Sequence, residues 1–421
     1  MKRLVLLGLA LALVAATAVT GSSLGARQAP VDVVLWHGFT DYEATSLKAQ
    51  VDKFNKSQSG VRVKAQFYGD ADYGLQKVLT AISGGKYPDI SFLFGSYAAN
   101  IAKSPKTLDL TKRVQEPAFR YDDIWPAARL AGTVNGKVVA LPALIDNLAL
   151  VYNKKLFRQA GIPLPTAKWT WADMERAAKK LTNPAKKQFG WAYVNDAGED
   201  TVWRYWALLW QAGGDILTPD GKKAAFDSPA GMKALTLLQT MAVKDKSVYL
   251  DSGNDNYANL FNSGRIAMLF TGPWDLGGFP NVDYGVQILP RDRNHQTIAG
   301  PDNWVLFDNG NERADAAWTF MKWLLSAKEH LNLALDTGQL PIRASEMKQP
   351  KYKLYVKKYK GIDTFVANLS NAKKARPVTE KYPRISEAVG QAVQSVLLGK
   401  AEPKQALDQA AKKVDAILRI P

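Results

Sequence analysis

The sequence predicts an α/β protein of two lobes with a helical C-terminal tail. Three observations lead there. Strand-like and helix-like segments alternate from residue 31, the alternation starts afresh near residue 148, and the last third turns helical. A chain of 421 residues is long enough for two to three domains, each with its own core. Strands alternating with helices argue for mostly parallel sheets covered on both faces.

The elements follow in order. Val31 to Trp36 has the composition of a buried strand, and Thr40 with Glu43 forms a capping box opening a helix whose apolar face is Leu47, Val51 and Phe54. Val61 to Phe67 alternates as a second strand, Asp72 to Ser83 is helical, and Asp89 to Phe94 is a third strand. The second series begins at Leu148 to Tyr152. It continues with a helix capped at Thr170, a strand from Phe189 to Tyr193, a Trp-rich helix from Trp203 to Gln211, and a helix opened by Ser228-Pro229, where Pro suits the first position. Ile266 to Phe270, Tyr284 to Ile288 and Asn303 to Phe307 are further strands. Helical faces then appear at Ala317, Phe320, Met321 and Leu324, and at Ile385, Val389, Val393 and Val396. Trp203, Trp206 and Trp210 share one broad helical face, of which Trp203 is expected to reach a cleft while the others pack in the core.

The N-terminus fixes the expected compartment. Lys2 and Arg3 precede an unbroken apolar or Gly run from Leu4 to Ala16, small residues follow to Ala26, and Arg27-Gln28-Ala29-Pro30 comes next. This is the layout of a secretory leader, residues 1–26, whose apolar run is short for a membrane span. No later stretch is long and apolar enough to span a bilayer. The chain has no cysteine, which rules out disulfides, thiol nucleophiles, Cys-based metal sites and lipid attachment through a cysteine after the leader.

The net charge of +16 falls by two if Lys2 and Arg3 are removed. Such an excess suits a nucleic acid, an anionic surface or an anionic ligand. The lysines, however, are spread along helices, as at Lys179-Lys180 and Lys357-Lys358, with no basic block interleaved with aromatics. Solvated helix faces account for them, and no nucleic-acid partner is expected.

Catalytic and cofactor motifs are missing. His37, His295 and His330 lack metal-ligand spacing, and there is no Gly-x-Ser-x-Gly elbow, phosphate loop or dinucleotide fingerprint. No cofactor or metal is expected. A pair of carboxylates facing each other in a cleft would still suit glycoside hydrolysis, so a secreted glycoside hydrolase stays open as an alternative. His37, directly after a strand, either lines a cleft or caps the strand end.

Eight segments occur in an informative order: Trp36-His37-Gly38, Lys86-Tyr87-Pro88-Asp89-Ile90, Asn135 to Pro142, Val151 to Phe157, Ala160 to Asp173, Phe261 to Met268, Gly272-Pro273-Trp274 and Leu340 to Arg343. Together the chain resembles the family 1 extracellular solute-binding proteins of bacterial ABC importers. The resemblance implies a type II periplasmic-binding-protein fold: an N-terminal lobe of residues 27–143 and 298–341 and a C-terminal lobe of 144–297 and 342–421. It implies crossings near Pro142–Ile145, His295–Ala299 and Leu340–Arg343. It further implies a monomeric, periplasmic, non-catalytic binder that takes a mono- or oligosaccharide in the cleft and passes it to a membrane-embedded permease.

By the same resemblance, Asp146 is a cleft carboxylate, Trp274 an indole that stacks on a sugar ring, and Trp203 an aromatic contact. Tyr382 would supply another ring, and His37, Asp41, Ser96, Asp302, Asn303 and Arg343 are cleft candidates by position. The chemistry fits, since a carboxylate accepts paired hydroxyls and the C–H face of a sugar is flat and apolar. A capping role for Asp146 and a core role for Trp274 are the alternatives. Phe94-Gly95-Ser96-Tyr97 lacks the charged pair of the family's maltodextrin binder, so the solute or its orientation should differ. The positive charge and Arg343 together leave open an anionic solute such as a glycerol phosphodiester.

The exported protein is expected to begin between Ser22 and Ala29, at Arg27 if cleavage follows Ala26. Intact mass of periplasmic material checks this, and a protein retaining Met1 to Leu24 would overturn the expected compartment.

Overall fold

The structure is a computed structural model that describes residues 29–39, 41–69, 74–253 and 256–420, without the side chains of Asp41 and Tyr42. The expected leader, Thr40 of the expected capping box and Asp72 lie outside the described residues.

Strand β1 (Val31–His37) buries Val33, Leu35 and His37, the period-2 pattern of a half-buried strand. Helix α1 (Asp41–Ser57) buries Leu47, Val51 and Phe54 on one stripe. Strand β2 (Val61–Phe67), helix α2 (Gly74–Ser83) and strand β3 (Ile90–Phe94) follow, with β1 lying parallel between β2 and β3. Short helices α3 (Ala98–Ile101) and α4 (Pro126–Ala131) and the hairpin of β4 (Thr133–Val134) and β5 (Lys137–Val138) lead to β6 (Leu141–Leu144).

The second unit opens with β7 (Ala149–Asn153) and α5 (Lys154–Gln159), then α6 (Trp171–Leu181), β8 (Trp191–Val194), α7 (Glu199–Gln211) and α8 (Pro229–Gln239). Local chemistry sets these starts. Asn153 accepts from the amide of Leu156, Thr170 and Asp173 complete a capping box, and Ser228 caps the helix that Pro229 begins. Strand β9 (Val248–Asp251), too short to show a period, was not expected; α9 (Asn256–Asn262), β10 (Met268–Thr271) and β11 (Tyr284–Gln287) complete the unit.

The chain then returns to the first sheet as β12 (Asp302–Leu306), covered by α10 (Asn311–Leu324), while α11 (Ala327–Thr337) packs on α1. Helices α12 (Tyr352–Lys358) and α13 (Ile362–Asn368) precede the tail, α14 (Tyr382–Leu397) and α15 (Pro403–Arg419), which packs on α7 and α8.

The sheet orders are β2-β1-β3-β12-β6 and β11-β7-β10-β8-β9. Both are mixed, mostly parallel as expected but with one reversed strand each: β12 runs antiparallel to β3 and β6, and β7 runs antiparallel to β10 and β11. The exceptions are the strands that enter directly from the other unit. A helical crossover returns the chain in the same direction, whereas a direct crossing delivers it reversed. On the outer edge of the first sheet, Arg62 and Lys64 of β2 both reach Asp32 of β1 at 2.7 Å.

The connections between the units run side by side. Ile145 is bridged to Leu340, and Asn147 to Ala299. Beneath them lies a buried amide network. Asn147 Nδ2 donates to the carbonyl of Phe365 at 2.9 Å, and Asn368 Nδ2 donates to Asn147 Oδ1 at 2.8 Å and to the carbonyl of Leu148 at 2.9 Å. One boundary differs from expectation. Residues after 342 do not pass at once into the second unit: Ser345 bonds Asp123, Glu346 bonds His330, and Tyr355 donates to the carbonyl of Gln339. The chain leaves the first unit's helices only after α12 has packed on α11.

Asn147→Ala is expected to cost about 1–3 kcal/mol of stability, because it leaves the amide of Asn368 and the carbonyl of Phe365 buried without that partner. A urea melt of both proteins measures it, and an unchanged midpoint would mean that the network is dispensable.

Candidate functional site

Between the two sheets lies a cavity of about 930 Å³. Its walls are built where strands end, the usual place for a ligand crevice in α/β folds. Phe94 ends β3, and Ser96 and Tyr97 follow it; Asp146 lies on the first crossing; Gly300 precedes β12, which Asp302 begins; Asp196 follows β8; and Trp274 follows β10. Helix α7 contributes Glu199, Asp200 and Trp203, the segment before α14 contributes Arg376, and α14 itself contributes Tyr382, Ser386 and Glu387.

Two glycines make the close packing possible. A Cβ on Gly300 would stand 2.4 Å from Asp146 Oδ1 and 3.1 Å from the Trp203 ring, and a Cβ on Gly272 would fall 1.8 Å from the Trp274 indole. With both bare, the Trp203 and Trp274 rings meet at 5.9 Å between centroids with planes 45° apart, an aromatic corner.

Glu199 organises the opposite wall. Its carboxylate accepts from Arg376 Nη1 at 2.8 Å, from the Tyr382 hydroxyl at 2.9 Å and from the Ser386 hydroxyl, while the Tyr382 hydroxyl accepts from Trp206 Nε1 at 3.0 Å. Asp200 pairs with Arg204 at 3.3 Å, and Asp196 accepts from the amide of Gly198 at 2.8 Å and from Thr201. Asp146 and Asp302 differ from these. Asp146 Oδ1 accepts the amide of Gly300 at 3.0 Å, and Asp302 Oδ1 accepts the amide of Gly95 at 3.4 Å; among the described residues neither carboxylate has an ion-pair partner within 4 Å. Burial pushes the Asp146 carboxyl well above the usual range, and the neighbouring charge of Asp302 adds to it. Burial likewise pushes Asp302 up to about 7, against the pull of Arg376 and the Gly95 amide.

Beside the cavity the two units are bridged directly. Asn100 Nδ2 of α3 donates to the carbonyl of Glu380 at 2.9 Å, and Lys103 pairs with the Glu380 carboxylate.

Of the residues expected at the site, Asp146, Trp274, Trp203, Ser96, Asp302 and Tyr382 line this cavity. Tyr382 does so as a wall, its hydroxyl already engaged and its ring buried. Three others lie elsewhere. His37 packs between Phe39 and Phe67 on the first sheet, where burial lowers its pKa. Asn303 points to the opposite side of β12 from Asp302, and its Nδ2 donates to the carbonyl of Ala131 at 3.0 Å. Arg343 is a cross-link of the first unit: Nε donates to the carbonyl of Leu325 at 2.5 Å, Nη1 to that of Arg120 at 2.8 Å, and the guanidinium covers Phe119. The Asp41 side chain lies outside the described residues. Sequence reasoning missed Glu199, Arg376, Ser386, Asp196, Asp200 and Glu387. Acidic residues opening a helix look like dipole partners, and Arg376 sits in a basic run like any solvated one.

Residues 40–330 match the model of the bacterial extracellular solute-binding protein family. The solved structure of a cyclic α-maltosyl-1,6-maltose binding protein from Arthrobacter globiformis is 28% identical and superposes with a TM-score of 0.81 over 93% of this chain and 100% of that one. An ABC transporter solute-binding protein from Thermotoga lettingae, bound with α-D-tagatose, is 28% identical with a TM-score of 0.82 over 92% of this chain and 100% of that one. The sn-glycerol-3-phosphate-binding periplasmic protein UgpB of Pectobacterium atrosepticum is 24% identical over 415 residues, 93% of this chain and 92% of its own.

The raised carboxyl of Asp302 makes the solute-free fold sensitive to pH. The unfolded chain loses this proton near 3.8 and the folded chain near 7, so the folded state binds more protons between those values. Stability from this group is fully present below about pH 4 and is lost as pH rises to about 7. Asp302→Asn removes that slope and should stabilise the protein at neutral pH by on the order of 1–3 kcal/mol, since an open form that wets the carboxyl caps the gain. Denaturant melts of both proteins at acid and neutral pH measure it, and parallel pH profiles would refute it.

Proposed function

The chain belongs to the bacterial extracellular solute-binding protein family, and from that premise we propose that it captures a carbohydrate, a mono- or oligosaccharide, in the cavity between its sheets and delivers it to the membrane-embedded permease of an ABC importer. The observation that carries this reading is one cavity combining two indoles with two enclosed carboxylates, Asp146 and Asp302, that have no ion-pair partner among the described residues. Carboxylates accept the paired hydroxyls of a sugar, and indoles cover its apolar C–H face. The solved cyclic α-maltosyl-1,6-maltose binding protein and the solute-binding protein bound with α-D-tagatose support the same class.

The protein acts outside the cytoplasm, as a monomer, and binds its solute without turning it over. Among the described residues no helix is long and apolar enough to cross a membrane. Solute touching Trp203 and Trp274 on one side and Ser96 and Asp302 on the other favours the closed arrangement, the differential contact that a population shift requires. The adjacent crossings serve as the hinge. Arg376 and Tyr382, fixed by Glu199, present a rigid wall.

An anionic solute fits less well, despite the relation to UgpB. Arg343, one of the two features favouring it, is engaged in the first unit. Among the described lining residues Arg376 is the one cation, and Glu199 already neutralises it. A phosphate ester would have to keep Asp146 and Asp302 protonated or face their negative charge.

A thermal-shift screen over sugars and phosphate esters tests the class, since a solute at ~100 times its dissociation constant stabilises by about 2.7 kcal/mol. With the solute in hand, Trp274→Ala should weaken binding 5- to 150-fold, or about 1–3 kcal/mol, through lost stacking and apolar burial. It should cost far less stability, because the ring is half-buried at the cavity wall. Calorimetric titration and a denaturant melt separate the two effects. Normal binding together with a large stability loss would make the ring core and remove it from the site.

A further inference from the structure

We propose that the solute carries a positive charge: an amine-bearing sugar or polyol whose ammonium lies by Asp146 and Asp302, against the indoles of Trp203 and Trp274. The proposal rests on the carbohydrate reading above and narrows it.

It begins from the ion pairs along the cavity wall. Arg376 is matched by Glu199 at 2.8 Å, and Asp200 by Arg204 at 3.3 Å, so these groups leave no excess charge. Among the described lining residues Asp146, Asp196, Asp302 and Glu387 have no cation; Asp196 and Glu387 are exposed to water, which leaves Asp146 and Asp302 as the enclosed pair. Asp146 is 8% exposed, and only its Oδ1 is engaged; among the described residues Oδ2 meets no hydrogen-bond donor, so a nine-tenths buried carboxylate presents a free oxygen to the cavity.

Enclosing two carboxylates without a partner is costly, and a neutral sugar brings hydroxyl donors but no charge. An ammonium brings both. The aromatic corner supplies a second, independent attraction, since a cation within about 6 Å of an indole centroid is drawn to the ring face. The same corner does nothing for an anion.

The charge of the solute also sets the sign of proton linkage. The charged groups acting on the two carboxyls are Arg376, Asp200 and Glu43, with the amides of Gly95 and Gly300, and burial outweighs them so that both carboxyls hold their protons above the ordinary range. An arriving ammonium favours the ionised forms and expels protons. A neutral sugar deepens their burial and draws protons in.

The test is calorimetric titration of the mature chain near pH 7 in two buffers of unequal ionisation enthalpy. Matched pairs serve as probes: D-glucosamine and D-glucose, D-galactosamine and D-galactose, and the β-1,4-linked glucosamine dimer and its N-acetylated form. The amine member of at least one pair should bind about 10-fold or more tighter, with protons released. Neutral or N-acetylated members binding as tightly, with protons taken up, would overturn the charge and leave the carbohydrate reading standing. No sugar binding at all, or sn-glycerol 3-phosphate binding tightest, would overturn both. Asp302→Asn should bring the amine-to-neutral affinity ratio towards one, whereas a purely structural wall residue would weaken both members of a pair alike and leave the ratio as it was.

Discussion

The hydrogen bonds between neighbouring crossings hold the rest of the structure in register. Two sheets, each covered by its own helices, are joined where residues 145–147 lie beside Ala299 on one side and Leu340 on the other. Asp146 stands in the middle of that junction and Asp302 a few residues beyond it. The site is therefore fixed by the connection itself rather than by either sheet. The antiparallel entry of β7 and β12 has the same origin, since a strand arriving without a helical crossover arrives reversed.

Charge is segregated in a way that the total conceals. The chain carries +16, yet its cavity is lined by carboxylates with one guanidinium among the described residues. The lysines decorate exposed helix faces, where each is solvated or loosely paired, as Lys48 with Asp52 and Lys404 with Asp408. Net charge is thus informative about the outer surface and silent about the site. This is why a solute inferred from the total would have had the wrong sign for the cavity wall.

The fold was largely legible from periodicity. Leu47, Val51 and Phe54 gave a helix face, Ser228-Pro229 and Thr170 gave helix starts, and the alternation of β1 and β2 gave strands. Strand direction was not legible, because an apolar run looks the same whichever way it enters a sheet. At the site, residues flanking strand ends could be listed, but which face they take depends on single-residue register. Asp302 and Asn303 are neighbours in sequence, and only the first meets the cavity. Arg343 misled because a buried guanidinium serving three backbone and side-chain partners resembles a ligand contact in sequence. The Glu199 hub gave no local signal, since its partners lie about 180 residues away.

The bridge between α3 and Glu380 bears on how affinity and selectivity divide. Asn100 and Lys103 engage Glu380 outside the cavity lining, so under the proposed binding role their contribution to closure would be the same whatever is enclosed. Part of the holding strength would then be common to every cargo, and discrimination would fall to the cavity lining, where the proposed binding role puts Asp146, Asp302 and the two indoles. Tightening the bridge would lengthen the residence of good and poor cargo alike. Loosening it would hasten release without altering preference, which lets the rate of hand-over change independently of what is carried.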